Sequence, residues 1–154
     1  MTDLFTLADL PKGSRIAGLD VGSHTIGVAL GDLRHTIASP HSVIRRSKLA
    51  ADIAALQRII TTQEVAALVV GWPVNMNGSE GPRCQSVRQF TRNIAPAIPL
   101  PVRFWDERLS TVAAEQSMLE GDLSRAKRAE RIDQTAACVI LQGALDHLQY
   151  AEGR

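Results

Sequence analysis

Aromatic residues make up only 4% of the chain, which argues against extensive base stacking as a binding mode. Charge of one sign is missing too. Lys and Arg number 17 against 16 Asp and Glu, a net +1, so any pull on nucleic acid or membrane must come from a local patch. The two cysteines, Cys84 and Cys138, are isolated within apolar helical patterns. They match neither a disulfide scaffold nor a zinc site and read as small buried hydrophobes in a reducing compartment. His24, His35, His41 and His147 lack metal-ligand spacing. No apolar run is long enough to span a bilayer, and Met1 to Ser14 lacks the basic and apolar regions of a signal peptide. These absences lead to the expectation of a cytoplasmic protein that makes no membrane contact.

What is present is organised around Gly18-Leu-Asp-Val-Gly-Ser-His-Thr-Ile-Gly-Val-Ala-Leu-Gly-Asp32. Ile16 to Val21 and Thr25 to Leu30 are short, apolar and β-branched, and a tight Gly22-Ser23-His24 turn would make them an antiparallel pair. Asp20 stands where an apolar residue is expected. A carboxylate there is costly unless a cation compensates it, and Gly18, Gly22 and Gly27 clear space for close approach. An Asp capping the turn is the plainer alternative.

Met1 to Leu10 reads as a weakly amphipathic lead-in outside the core, part of an N-terminal extension over 1–14, with one domain over 15–150. His35 to Arg45 is a third strand that Pro40 confines to a sheet edge or bend. Leu49, Ile53, Leu56 and Ile60 recur at helical spacing, with Lys48, Asp52, Gln57 and Arg58 off that face. Val65 to Val70 is apolar throughout, as in a strand covered on both sides. A Gly- and Asn-rich loop from Asn75 to Gly81 precedes a helix opened by Pro82 and buried along Val87, Phe90 and Ile94. Val102 to Asp106 is a fifth strand. A helix capped by Ser110 or Thr111 and ending near Gly121 follows. A basic connector, Arg125 to Arg131, then leads into a last helix opened by Asp133, with Ala136, Ala137, Ile140, Leu141, Ala144 and Leu148 on its apolar face. The order β-β-β-α-β-α-β-α-α predicts an α/β fold: a mixed five-stranded sheet with helices on both faces, the layout of a ribonuclease-H-like domain.

Acids collect at the edge where such sheets bind ligands, the carboxyl ends of the parallel strands. Asp20 is on the first strand, Asp106 and Glu107 end the fifth, and Asp133 lies on the last helix. Carboxylates converging from distant segments repel unless a divalent cation lies among them. Oxygen-only ligands suit Mg²⁺ or Mn²⁺, and such a cage suits two-metal phosphodiester hydrolysis. The loop would offer backbone N–H groups and the Asn75 amide to a substrate backbone. Arg108 and the cluster Arg125, Lys127, Arg128 and Arg131 could neutralise phosphates; a solvated connector is the alternative.

Three motifs and one further feature carry a family resemblance over Arg15 to Leu148. They are Gly18-Leu-Asp-Val-Gly22 with Gly27; Gly71-Trp-Pro-x-Asn-Met-x-Gly-Ser79; Asp106-Glu-Arg-Leu-Ser-Thr111; and Asp133 followed by Ala136-Ala137 and Ile140-Leu141-Gln142. The chain resembles the YqgF family, described as Holliday junction resolvases and, in bacteria, as pre-16S ribosomal RNA nucleases. Trp72 departs from that pattern, where a smaller apolar residue is usual, and would change bulk beside the loop. The resemblance implies Asp20, Glu107 and Asp133 as catalytic residues and metal ligands. Asn75, Gly78, Ser79, Arg108, Arg125, Lys127 and Arg128 stand as substrate-binding candidates, and Asp106 as a supporting acid. The implied role is 5′-end maturation of 16S rRNA precursor.

Strand alternation puts Asp106 and Glu107 on opposite faces and cannot choose between them, since helices cover both. Reach favours Glu107, whose longer side chain can cross the strand between it and Asp20. Asp106 is better placed to accept backbone hydrogen bonds around Ser110 and Thr111 or to hold Arg108. The partner is expected to be nucleic acid, structured RNA or branched DNA, the latter for a two-fold resolvase dimer; neither monomer nor homodimer is favoured. Two other classes compete. Asp20-Val-Gly-Ser-x-Thr25 resembles the first phosphate loop of actin-like ATPases, but those need two such domains. A non-catalytic nucleic-acid-binding module would not need the acids.

Overall fold

The structure, a computed structural model, describes residues 4–109 and 125–151, the side chains of 125–135 and 151 aside. Five strands form one sheet in the order β3-β2-β1-β4-β5. They are β1 (Arg15–Val21), β2 (Thr25–Gly31), β3 (Ala38–Arg45), β4 (Val65–Trp72) and β5 (Val102–Asp106). The meander β1-β2-β3 is antiparallel, and β4 and β5 continue parallel to β1. Each β-branched run therefore becomes the strand its pattern predicts. Pro40 lies on the edge strand, where the β2–β3 register shifts beside Val28 and Ala29, because proline cannot donate to a ladder.

Helices α1 (Leu49–Gln63) and α2 (Pro82–Ile94) cover one face, and α3 (Arg125–Ala151) covers the other. The first core joins Leu19, Val21, Leu68, Val70 and Phe104 to Leu56, Val87, Phe90 and Ile94. The second joins Ile16, Ala67 and Val69 to Ala137, Ile140, Leu141, Ala144 and Leu145. Alternating strand residues thus feed opposite cores. The close approach of α3 requires Gly18, where a Cβ would stand 2.6 Å from Leu141 Cβ. Gln142 fastens the helix to the sheet: its Oε1 accepts from Ala38 N–H and its Nε2 donates to Thr36 O, both at 2.9 Å.

Four expectations change. The lead-in is not outside the core, since Leu7 and Leu10 are buried with α3. It wraps the exposed edge of β5: Phe104 N–H donates to Leu4 O at 2.7 Å. Arg103 donates to Thr6 O at 3.1 Å and to Asp9 at 2.8 Å. A bare edge strand is thereby covered. Trp72 supplies part of the reason. It is 2% exposed and packs on Phe104 and Phe5, with ring centroids 4.6 and 5.9 Å apart, so its bulk lies in the core. Asp52 is buried rather than off the apolar face of α1, because it accepts Ser47 N–H at 3.0 Å beside Arg46. Finally, Arg125 to Arg131 is no connector but the opening turns of α3. Asp133 therefore lies inside that helix instead of starting it, as its good helix formers Arg, Ala, Lys and Glu allow. The helix expected after Ser110 or Thr111 falls outside the described residues.

Both cysteines are free, and burial raises the Cys138 thiol to about 11. His35 is buried with Nε2 2.7 Å from Ser14 O, a satisfied core histidine.

Candidate active site

The site builds from strand register. Asp20 is the penultimate residue of β1, opposite Gly27 of β2, where no side chain competes for space. On the other side β1 pairs with β4 through Leu19↔Val70, and one more step of that register brings Asp20 level with Gly71. Gly71 in turn pairs with Trp105 of β5, and Glu107 follows that strand directly. Asp20 shares the α3 face with Gly18, two residues before it. Gly71 opens to the same face, since a Cβ on it would meet Ile140 Cδ1 at 2.5 Å and Glu107 Cγ and Cδ each at 3.2 Å. Glu107 therefore leans over a bare strand position towards β1. Asp20 and Glu107, both half-exposed, flank Gly71 under the helix that carries Asp133.

Neighbouring strands lie about 4.8 Å apart, so Asp20 and Glu107 rise from backbones roughly 10 Å apart with Gly71 between them. A side chain on Gly71 would fill that space. Sequence reasoning alone does not single this residue out. Its signals are its place at the head of the Gly71-to-Ser79 motif and at the end of the uninterrupted apolar run Val65 to Val70, where strand glycine marks close approach.

Asp106 has a different task. It pairs opposite Trp72 and, by alternation, shares the face of Phe104 rather than that of Glu107. Its carboxylate accepts from Arg108 at four points: the backbone N–H at 2.9 Å, Nε at 3.1 Å to each oxygen, and Nη2 at 2.7 Å. The guanidinium hydrogen bonds hold the Asp106 carboxyl below its ordinary range. Of the two roles expected for Asp106, holding Arg108 is the one observed; Ser110 and Thr111 fall outside the described residues.

The loop from Asn75 to Ser79 is folded on itself. Asn75 N–H donates to Ser79 O at 2.9 Å, Gly78 N–H to Asn75 O at 2.8 Å, and Ser79 N–H to Asn77 Oδ1 at 3.0 Å. The Asn75 amide donates to Ser79 Oγ at 2.9 Å. Three of the loop's backbone N–H groups and one hydrogen of the Asn75 amide are thus used inside the loop. Arg108 lies beside the loop, its Nη1 within 3.3 Å of where a Gly78 Cβ would be. A cavity of about 310 Å³ opens there between Asn75, Met76, Arg83, Glu107 and Arg108. Arg83, which no sequence motif marks, enters it from the first turn of α2.

Asp133 lies one turn before Ala137 within α3; its side chain, and those of Arg125, Lys127, Arg128 and Arg131, are outside the described residues. Among the described residues no three His, Cys, Asp or Glu gather as a metal group. The described acids on the α3 face of the edge are Asp20 and Glu107, an oxygen-only pair of the kind hard divalent cations take.

A model of one protein family, RuvX, described as Holliday junction resolvase, matches residues 14–147. A protein of Paracoccus denitrificans named "Putative pre-16S rRNA nuclease" is 57% identical over 92% of this chain and 89% of its own. One of the same name from Sphingopyxis alaskensis is 57% identical over 90% and 91%. Among solved structures, Thermus thermophilus RuvC in complex with Holliday junction substrate aligns with a TM-score of 0.56 at 12% identity, over 91% of this chain and 96% of that one. That likeness shows the ribonuclease-H-like fold expected from the element order. The match across almost the whole domain, with the strand-end acids in place, means that the chain belongs to the RuvX family, the YqgF family to which its motifs pointed.

Proposed function

We propose that the protein is a metal-dependent endonuclease that hydrolyses phosphodiester bonds in the 5′-end maturation of pre-16S rRNA. One observation carries the reading: Asp20 and Glu107 flank a side-chain-free strand position on the same sheet face. Asp133 completes the set from α3. Together the three would hold Mg²⁺ or Mn²⁺, which when bound lowers the pKa of an attacking water and stabilises the leaving oxygen. Magnesium needs few protein ligands because it keeps water and phosphate oxygens in its shell.

The chain's own residues do the rest. Glu107 is half-exposed and lines one cavity with Arg83 and Arg108, so a phosphate there meets cations close to that acid. Arg108 is pre-oriented by Asp106 and backed by Gly78, and it can therefore offer fixed donors to a phosphate with little loss of freedom. Asn75, Gly78 and Ser79 act by fixing that loop. Arg125, Lys127 and Arg128, one to two turns ahead of Asp133, extend the phosphate contacts along α3. The name borne by the relatives at 57% identity favours precursor rRNA over a four-way DNA junction, and the protein works in the cytoplasm.

The test offers purified protein a precursor 16S leader and a four-way DNA junction, with Mg²⁺, Mn²⁺, Ca²⁺ or chelator. Cleavage of the leader in Mg²⁺ or Mn²⁺, lost in chelator and with Asp20→Asn, is expected. Full activity in excess chelator would sink the metal mechanism, and cutting of the junction alone would move the substrate to DNA.

A further inference from the structure

A second cavity, of about 780 Å³, lies between the Gly22–Thr25 turn and the outer side of α2, lined by His24, Arg46, Arg83, Gln89, Phe90 and Asn93 among others. Its size falls within the range of small-ligand pockets, about 300–1,000 Å³. Arg83 also lines the cavity that holds Glu107 and Arg108, so the two adjoin through one cation. Among the described residues no carboxylate lines the larger one.

Two features of the lining point to a nucleobase. Arg46 is fixed from several directions: Nη1 donates to Gly22 O at 2.6 Å, Nε lies 3.8 Å from Asp52, and the guanidinium sits over the Phe90 ring at 5.2 Å. One face of this planar cation is thereby covered, and 27% of the side chain stays exposed. A guanidinium held in this way is a stacking platform for an unpaired base, the kind a chain so poor in aromatics can still build. Beside it, Gln89 Nε2 donates to Asn93 Oδ1 at 2.9 Å. That bond leaves the Gln89 carbonyl as acceptor and the Asn93 amide as donor, a pair complementary to the edge of a base. Arg83, which makes no ion pair among the described residues, is placed for the phosphate between that base and the acids.

We propose that this cavity receives one unpaired nucleotide of the substrate strand, flanking the bond that is cut. The base stacks on Arg46, its edge meets Gln89 and Asn93, and its phosphate meets Arg83. The inference rests on the nuclease reading for its substrate but makes a separate demand, that binding depends on single-stranded sequence beside the site.

The experiment measures binding in chelator, where cleavage plays no part. Fluorescence polarisation compares a short blunt RNA duplex with the same duplex carrying a single-stranded extension at either the 5′ or the 3′ end. The extension should tighten binding by the wild-type chain about tenfold, the lower part of what one stacked base supplies. Gln89→Ala with Asn93→Ala, both on the exposed side of α2, should lose most of that gain and keep the blunt-duplex affinity. A gain that survives in the double variant, or no gain from either extension in the wild type, overturns the proposal. Failure of the nuclease reading would show elsewhere, as no metal-dependent cleavage by a wild-type protein that still prefers the extended duplex.

Discussion

Gly71→Ala tests the geometry on which the proposed chemistry depends. The added methyl would stand 2.5 Å from Ile140 Cδ1 and 3.2 Å from Cγ and Cδ of Glu107. Ile140 is 1% exposed, so relief there means repacking a filled core, at about 1–3 kcal/mol. Glu107 is only partly buried, so its displacement costs less stability than repacking that core. Rate is another matter, because misplacement of a catalytic group by about 1 Å can cost about a hundredfold. Ile140→Val separates the two effects by removing the methyl that the new Cβ would strike. Alone it should cost about 0.5–1.5 kcal/mol. Combined with Gly71→Ala it should recover about 1 kcal/mol relative to the sum of the single changes. Cleavage should stay low in the double variant, because Glu107 is still pushed aside. Urea unfolding and single-turnover cleavage of the precursor leader, measured on all four proteins, complete the cycle. Wild-type cleavage by Gly71→Ala would refute the reasoning. So would cleavage that returns with stability in the double variant, since the defect would then be packing and not the position of Glu107.

Glu107→Gln should abolish cleavage with little change in melting temperature. Asp106→Asn should keep measurable activity and lose only about 0.5–1 kcal/mol, because its partner Arg108 is 37% exposed and the pair is screened; the reverse pattern would exchange their roles. Replacing Arg125, Lys127 and Arg128 together by Ser should weaken binding to every nucleic acid and flatten its salt dependence, by a slope of about 0.7 to 0.9 for each phosphate no longer neutralised. An unchanged slope would return these residues to a solvated surface. Asp32 is partly desolvated, which alone would raise its pKa, yet hydrogen bonds from the Thr36 hydroxyl and the Thr36 and Ile37 N–H groups lower it to about 2. Its stabilisation is full above an unfolded pKa of about 4 and is lost as pH falls towards about 2, so Asp32→Asn should flatten the stability profile in that window in a urea titration. Arg103→Met should release the lead-in at a cost of about 1–3 kcal/mol, read as faster proteolysis near Thr6; unchanged proteolysis there would show that Leu7 and Leu10 suffice.

The strand and helix plan was legible in the sequence because burial writes a period into a chain. Val65 to Val70 has no polar residue because cores lie on both sides of β4, and Pro82 and Pro40 mark a helix start and an edge for purely local reasons. Asp20 was legible as a misfit for the same reason. The faces were not. Asp106 and Glu107 are neighbours in sequence with nearly the same chemistry; reach favours Glu107 and alternation cannot choose, whereas the register of β5 against Trp72 and Gly71 places one beside Arg108 and the other over the glycine. The start of α3 was hidden because Arg125 to Arg131 is a good helix former with no apolar period. Asp52 looked solvated because its partners, Ser47 N–H and Arg46, precede the helix. Leu4 to Leu10 looked detached because so few apolar residues set no period, and what they cover, the edge of β5, lies almost a hundred residues away. Local periodicity fixes the elements; contacts between segments far apart in the chain decide which side chains meet.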